Sequence, residues 1–511
     1  MTVRETFSKF PSWIPQKSWV VILMLMCTAF NTGTVLGYDA SMMNALNILP
    51  QYTEYFNLTP ATTGLNSGII WIGATLGSAV IAKLPDHIGR RPSAFYSGLI
   101  AMVGGILTAA SQNTAMFLVS RFILGLGIGC SYVVTPVYIS ETLPLDKRAL
   151  GLGLINDVYY VGGLVSAGIT YGTSYLNSTW AWRLPAIFQI VFTLISLLAL
   201  PFAPESPRFL VYQGRKDEAL LALAQISSNG DTSDAAVKLQ FIQVCESLDY
   251  EKEADQTVGV KELWTNKSYR KRLFIAFTVA VFSMMTGSNI FSYYLGTALT
   301  NAGFTDSTIQ LEVNIILNAF CLVICLIGTC MADRLGRKTL ALISTGLCTI
   351  TLFIIGALTK FYGTSSNKSA IYANIAMMFL AQGFYSFGWT PILQMYAPEL
   401  MNYQLRSIGV SWCITWQNAI ILVPIFAFPI AMANIGWVTY IMNGGWNIFQ
   451  IVVIAIYWVE TKGLSLEEIS ALFDGEVHSQ VTNVKDIING VSAGIDDEKV
   501  VAQVQAEILK D

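Results

Sequence analysis

The chain has 511 residues, 53% of them apolar and 12% charged, with a net charge of −3. That charged share is roughly half that of an ordinary soluble domain, so lipid is the solvent for most of the chain. The near-neutral balance, with no clustered basic tract, excludes nucleic acid as a partner, and the eight cysteines show no spacing that would make a disulfide framework or a zinc site.

Residues 1–18 are polar and lack the short apolar core and small-residue cleavage site of a secretory signal, so the first span is read as an uncleaved anchor. Windows of about 19 residues place apolar spans near the length that a ~30 Å hydrocarbon core demands. These are 19–41, 64–84, 94–112, 115–138, 150–174, 184–203, 273–299, 311–331, 339–359, 371–396, 407–431 and 437–459. The expected fold is therefore an all-α membrane protein of twelve transmembrane helices in two six-helix bundles. Its domains are a segment 1–18, a bundle 19–203, a polar linker 204–272, a second bundle 273–459 and a tail 460–511. Within the linker, the apolar spacing from Gly214 to Ala224 predicts short amphipathic helices on the membrane surface. The tail becomes polar after a similar opening and is read as disordered.

An even number of spans puts both termini on one side. Of the 30 basic residues only Arg183, Lys360, Lys368 and the intraspan Arg121 fall outside the termini and the even-to-odd connections, which makes the termini cytoplasmic. Asn57, Asn177 and Asn367 head Asn-x-Ser/Thr tripeptides in outer connections and are candidate glycosylation sites, whereas the Asn266 tripeptide lies inside.

The chain reads as built twice. Asp86-His87-Ile88-Gly89-Arg90-Arg91 returns as Asp333-Arg334-Leu335-Gly336-Arg337-Lys338, at an offset of 247 residues. Tyr138, Glu141, Arg148 and Gly151 return as Tyr396, Glu399, Arg406 and Gly409 (offset 258), and Glu205 after span six returns as Glu460 after span twelve (offset 255). A parallel repeat in an apolar chain points to a two-bundle transporter with its substrate at the seam between the halves.

Gly89-Arg90-Arg91, Pro204-Glu205-Ser206-Pro207-Arg208, Arg121-Phe122 with Gly125 and Gly129, and Glu460-Thr461-Lys462-Gly463 together resemble the sugar porter family of the major facilitator superfamily, over residues about 19–475. Gly37-Tyr38-Asp39 to Asn44 and Trp182-Arg183-Leu184-Pro185 look most like the fungal lactose-permease-like and hexose-type sugar transporters of that family. Val459 stands where the family usually has proline before Glu-Thr-Lys-Gly.

The repeated charges lie at the expected cytoplasmic span ends, where Asp86, Glu141, Glu205, Asp333, Glu399 and Glu460 can pair with Arg90, Arg148, Arg337 and Arg406 across the mouth of the bundles. Isolated surface pairs contribute about 0 to 1 kcal/mol, but a partly desolvated network can bias a two-state gate by a few. Topological anchoring by loop charges is the alternative.

Asp39 and Arg121 lie inside spans, where an uncompensated charge costs roughly 2.5 to 3.5 kcal/mol. The resemblance implies a proton-coupling pair that opens when Asp39 takes up a proton; a static pair holding two helices is the alternative. For substrate, the resemblance implies Asn289 and Tyr293 on one face of span seven. The glutamines common just upstream in hexose porters are Ser283 and Met284 here, which puts glucose-type contacts there in question. Asp157 occupies a position usually given to glutamine, to bind substrate or carry the proton. Asn318, one turn earlier than the family's asparagine, with Trp389, Gln417 and Asn418, completes the candidates, and helix–helix hydrogen bonding is the alternative for each. Gly125, Gly127 and Gly129 are read as packing glycines rather than a phosphate loop.

The expected protein is thus a plasma-membrane importer of a mono- or disaccharide, with a proton entering alongside, and not an enzyme. It needs no metal and no cofactor, sits in the bilayer and functions as a monomer. An uncoupled sugar or polyol carrier and a transporter-like nutrient receptor are the rivals.

Overall fold

The structure, a computed structural model, describes residues 14–47, 49–253, 264–290, 292, 307–362, 368–464, 469, 472 and 473. Every regular element among them is helical. The long helices are α1 Ser18–Leu46, α2 Pro60–Val80, α3 Arg90–Ala109, α4 Thr114–Thr142, α5 Leu145–Thr173, α6 Trp180–Ala199, α7 Lys267–Met285, α8 Ser307–Leu335, α9 Arg337–Tyr362, α10 Lys368–Leu400, α11 Tyr403–Ile420 and α12 Val438–Tyr457. Among the described residues, 11 helices are long and apolar enough to cross a membrane; α10, at 33 residues, is a further long helix outside that set.

Polar caps start several of these helices. Thr59 and Thr62 form a reciprocal capping box at α2, the Asn113 side chain accepts the Met116 N–H at 2.8 Å at α4, and Asn402 accepts the Leu405 N–H at 3.2 Å at α11. Helices outrun their apolar spans because intrahelical hydrogen bonding continues past the hydrocarbon edge: α1 runs to Leu46 and α3 begins at Arg90.

Two spans depart from the sequence expectation in kind. The seventh, expected as one helix to 299, ends at Met285 and breaks at Gly287, whose φ of 103° lies in the left-handed region that glycine tolerates. The eleventh is split into α11 and Leu422–Asn434.

The first six helices pack mostly on each other: α1 on α5, α2 and α3 on α4, α6 on α1 and α3. In the second set α9 lies on α10 and α12, α8 on α10, and α7 on α11. The sets meet where α5 touches α8 and α10, and where α11 touches α2 and α4. Glycine allows the closest approaches. A Cβ on Gly37 would overlap the Tyr159 carbonyl of α5, and one on Gly125 or Gly129 would overlap the Ile70 or Ala74 carbonyl of α2.

Between the sets, helices Pro207–Tyr212, Lys216–Ser227 and Ala235–Glu253 close their apolar faces on one another, burying Leu210, Leu223, Phe241 and Cys245. This cluster is tied to the start of α1: the Asn229 N–H donates to Ser18 Oγ at 2.7 Å, and the Ser18 N–H to Asn229 Oδ1 at 3.0 Å.

Candidate functional site: a neutral cavity, a buried ion pair and a charged end

Helices α1, α5, α8 and α10 line a small, partly open cavity of about 30 Å³. Its lining among the described residues is mostly amide, hydroxyl and phenol: Ser41 and Asn44 from α1, Tyr159 and Tyr160 from α5, Ser292 from the segment after α7, Asn314 and Asn318 from α8, and Gln382 from α10, with no acidic or basic side chain among them. These groups bond one another, and the first and last of the following three contacts link the two helix sets. Asn44 Nδ2 donates to the Ser292 carbonyl at 2.7 Å, Gln382 Nε2 to Ser292 Oγ at 3.1 Å, and Asn314 Nδ2 to Ser41 Oγ at 3.4 Å. Such groups can trade these bonds for those of a neutral, hydroxyl-rich ligand, and a tyrosine face beside them suits C–H surface.

Asp39 and Arg121 meet in a bidentate pair, Nη1 to Oδ1 and Nη2 to Oδ2, both at 2.9 Å. Both residues are buried. The arginine's Nε donates to the Asn66 carbonyl at 2.9 Å, and Gln189 Nε2 donates to Asp39 Oδ1 at 3.3 Å. This geometry compensates two charges that neither helix could carry into lipid alone.

Asp157 lies elsewhere. It is fully buried at the α5–α8 contact, where Thr329 Oγ1 donates to its Oδ2 at 2.5 Å, and its Oδ1 has no hydrogen-bond partner. It is not among the residues lining this cavity; one of its carboxylate oxygens is held at the α5–α8 contact and the other is left without a partner. Asn318 does line it, donating to the Asn314 carbonyl at 2.8 Å.

The remaining substrate candidates scatter. Asn289 donates back to the Met284 carbonyl at 2.7 Å, across the break after α7. Tyr293 lies outside the described residues. Trp389 is placed away from the cavity: its indole donates to Thr345 Oγ1 at 3.1 Å and packs edge-on against Trp458. Gln417 and Asn418 are buried on α11 but do not line the cavity either.

The repeated charges gather at one end. Glu141 accepts from Arg90 Nε at 3.0 Å within its own helix set and from Arg406 Nη1 at 3.0 Å from the other. Asp86 is bonded by Arg90 at 3.0 Å and by Ser407 Oγ, again across the sets, at 2.8 Å. In the second set Arg337 holds Glu399 at 2.8 Å and Asp333 at 2.9 Å. The repeat extends to its supports: Ser206 Oγ donates to Glu141 at 2.5 Å as Thr461 Oγ1 donates to Glu399 at 2.8 Å. Tyr138 donates to the Pro204 carbonyl as Tyr396 donates to that of Val459, so the backbone at the proline-replaced position keeps the same role. Arg148 is half-buried in the first turns of α5.

Glu205 and Glu460 correct the expectation of arginine pairing. Each caps a helix instead. Glu205 accepts the backbone N–H groups of Arg90 (3.0 Å) and Arg91 at the start of α3, and that of its neighbour Ser206. Glu460 accepts those of Arg337 (2.8 Å) and Lys338 at the start of α9, and that of its neighbour Thr461. Gly89 and Gly336, at φ 102° and 92°, are the turns over which these carboxylates lie. Burial pushes the Glu205 carboxyl above its ordinary range despite the opposing pull of the Ser206 N–H and the Arg91 charge.

A family model described as "Sugar (and other) transporter" matches residues 24–473. The chain belongs to that family, the sugar porters of the major facilitator superfamily. It is a multi-pass membrane transporter and not an enzyme. It is 28% identical over 454 residues to the MFS-type transporter criB of Aspergillus cristatus, covering 88% of this chain and 94% of that one. It is 27% identical over 469 residues to a high-affinity glucose transporter of Kluyveromyces lactis, covering 86% and 83%. The major myo-inositol transporter IolT of Bacillus subtilis is 27% identical over 473 residues, covering 91% and 96%. Among solved structures, the proton:xylose symporter XylE bound to 6-bromo-6-deoxy-D-glucose superposes with a TM-score of 0.78 at 21% identity, covering 89% of this chain and all of that one.

In this sugar porter the cavity residues Asn44, Asn314 and Gln382, and the ion-pair neighbours Asn66 and Gln189, were not among the sequence candidates. Asn314 carried a signal, standing i to i+4 from Asn318 on the same face of an apolar helix.

Proposed function

We propose that this sugar porter imports a neutral sugar across the plasma membrane together with a proton taken up by Asp39. The buried, bidentate Asp39–Arg121 pair carries the reading, since it is a paired titratable group within the span helices whose partner is released by protonation. The twelve long helices form two six-helix halves, 19–203 and 273–459, that rock about the cavity, with the termini, the linker helices and the charged end on the cytoplasmic side. Glu141–Arg406 and Asp86–Ser407 hold that end shut, while Arg90, Arg148, Asp333, Arg337 and Glu399 support it. The sugar is held by Asn318 with Asn44, Asn314 and Gln382. The exposed Asn57 and Asn177 face outward as glycosylation acceptors, and Asn367 lies outside the described residues. The porter works as a monomer.

One charge moving across 100 mV contributes about 2.3 kcal/mol, equivalent to roughly fifty-fold accumulation of a neutral solute. A polyol is the second reading of the substrate, favoured by the wholly neutral lining and by similarity to a myo-inositol transporter.

Uptake of radiolabelled D-glucose, D-xylose, lactose and myo-inositol into transporter-deficient cells, with external pH recorded, tests both. Concentrative uptake with alkalinisation, lost in Asp39→Asn while exchange persists, is the expected result. Uptake that ignores a protonophore removes the coupling, and a response of polyols alone selects the second reading.

A further inference from the structure

We propose that Asn66 is the positioning residue that receives Arg121 when Asp39 binds its proton; this rests on the symport reading above. Protonation turns the Asp39 carboxylate into a carboxylic acid, and the guanidinium, which stays charged, loses its charge-assisted acceptor. A buried cation in that state needs another acceptor within reach.

Arg121 already touches one residue that has an acceptor to spare. Its Nε donates to the Asn66 backbone carbonyl at 2.9 Å. Asn66 is 0% exposed, its Nδ2 donates to Tyr52 Oη at 3.1 Å, and its Oδ1 has no hydrogen-bond partner. This unpartnered amide oxygen belongs to the residue whose carbonyl already holds Arg121, so it is the acceptor offered to the guanidinium in the other state.

The new hydroxyl on Asp39 is provided for in the same way. Gln189 points Nε2 at Asp39 Oδ1, and its Oε1 is buried and without a partner. Turning that amide offers an acceptor to the acid. One proton is gained by Asp39 and no other group changes protonation. The other titratable side chains facing the pair, Tyr52 from the short helix Pro50–Tyr55 and Tyr159 from α5, are phenols, a group that is neutral at pH 7, and burial pushes the Tyr52 hydroxyl up further.

The test uses the full-length protein in transporter-deficient cells and whichever of D-glucose, D-xylose or myo-inositol the wild type concentrates. Asn66→Ala is expected to lower steady-state accumulation on the order of tenfold while equal-concentration exchange stays within about twofold, because it removes the waiting acceptor but leaves the backbone carbonyl. Tyr52→Phe, which removes only the bond to Asn66 Nδ2, is expected to accumulate like wild type. Asn66→Asp keeps the shape and supplies a fixed anion for Arg121, so its uptake should lose its dependence on external pH.

Wild-type accumulation and pH profile in either Asn66 variant overturn the proposal. So does an equal loss of exchange and accumulation in Asn66→Ala, which would make the residue merely structural, or a Tyr52→Phe loss that matches it. If the wild type itself shows no alkalinisation, the symport reading has failed first.

Discussion

Arg406 of α11 donates to Glu141 of α4 at 3.0 Å, and the two side chains, 1% and 0% exposed, lie on opposite helix sets. Removing one partner of a buried pair is strongly destabilising, by about 3 to 5 kcal/mol, because the other charge is left in low dielectric. Here Arg90 also holds Glu141, so Arg406→Ala is expected at the low end, about 3 kcal/mol, and confined to the state in which the charged end is closed. In a chain keeping Cys413 as its single cysteine, buried two turns along α11, alkylation should speed up in Arg406→Ala. Unchanged labelling would mean the contact does not hold the end shut.

Gly37 sits where α1 and α5 nearly touch. A Cβ there meets the Tyr159 carbonyl and lies 2.7 Å from Tyr159 Cα, and backbone cannot swing aside as a side chain can. Gly37→Ala is expected to cost about 3 kcal/mol, seen as a lower melting temperature in detergent and less protein at the cell surface. Gly172, on α5 with nothing within 4 Å, is the control: Gly172→Ala should stay within about 0.5 kcal/mol.

The helices were legible in the sequence because lipid imposes an apolar length that composition alone reveals, and the repeat was legible because three charged signatures recur at near-constant offset. The contacts of those charges were less so. Glu205 and Arg90 both belong to repeated signatures, yet the carboxylate goes to backbone N–H groups, which no side-chain pattern records. The substrate candidates divided for a similar reason. An amide in an apolar span looks the same whether it faces a cavity, as Gln382 does, or ties helices together, as Asn447 does. Trp389 stands in span ten with nothing nearby in sequence to show that its indole goes to Thr345 on α9, 44 positions away.

The break after α7 leaves carbonyls without helical partners, and α12 supplies donors for them. Asn443 Nδ2 bonds the Met285 carbonyl at 3.1 Å and Asn447 Nδ2 the Thr286 carbonyl at 3.0 Å. Irregular backbone at membrane depth is tolerated only with such support. Asn447→Leu should therefore cost about 1 to 3 kcal/mol, the penalty of a buried unsatisfied group, and lower the melting temperature accordingly. Asn447→Asp, which keeps the shape but loses the donor, should be no better; a wild-type melt for either variant would show that the break is satisfied some other way.

Asn318 and Trp389 separate two ideas of the binding site. Asn318 lines the cavity and holds Asn314 in place, whereas Trp389 is turned to Thr345 and Trp458. If the cavity is where the sugar sits, Asn318→Ala removes a hydrogen-bond donor and acceptor from it and should raise KM on the order of tenfold with a smaller change in maximal rate. Trp389→Phe keeps one aromatic ring but loses the indole N–H and part of the buried ring volume, at a cost of about 1 to 3 kcal/mol in stability, with KM unchanged. Uptake kinetics of both variants decide the matter. A KM that responds to Trp389→Phe and ignores Asn318→Ala would move the sugar out of this cavity and toward the α9–α10 contact.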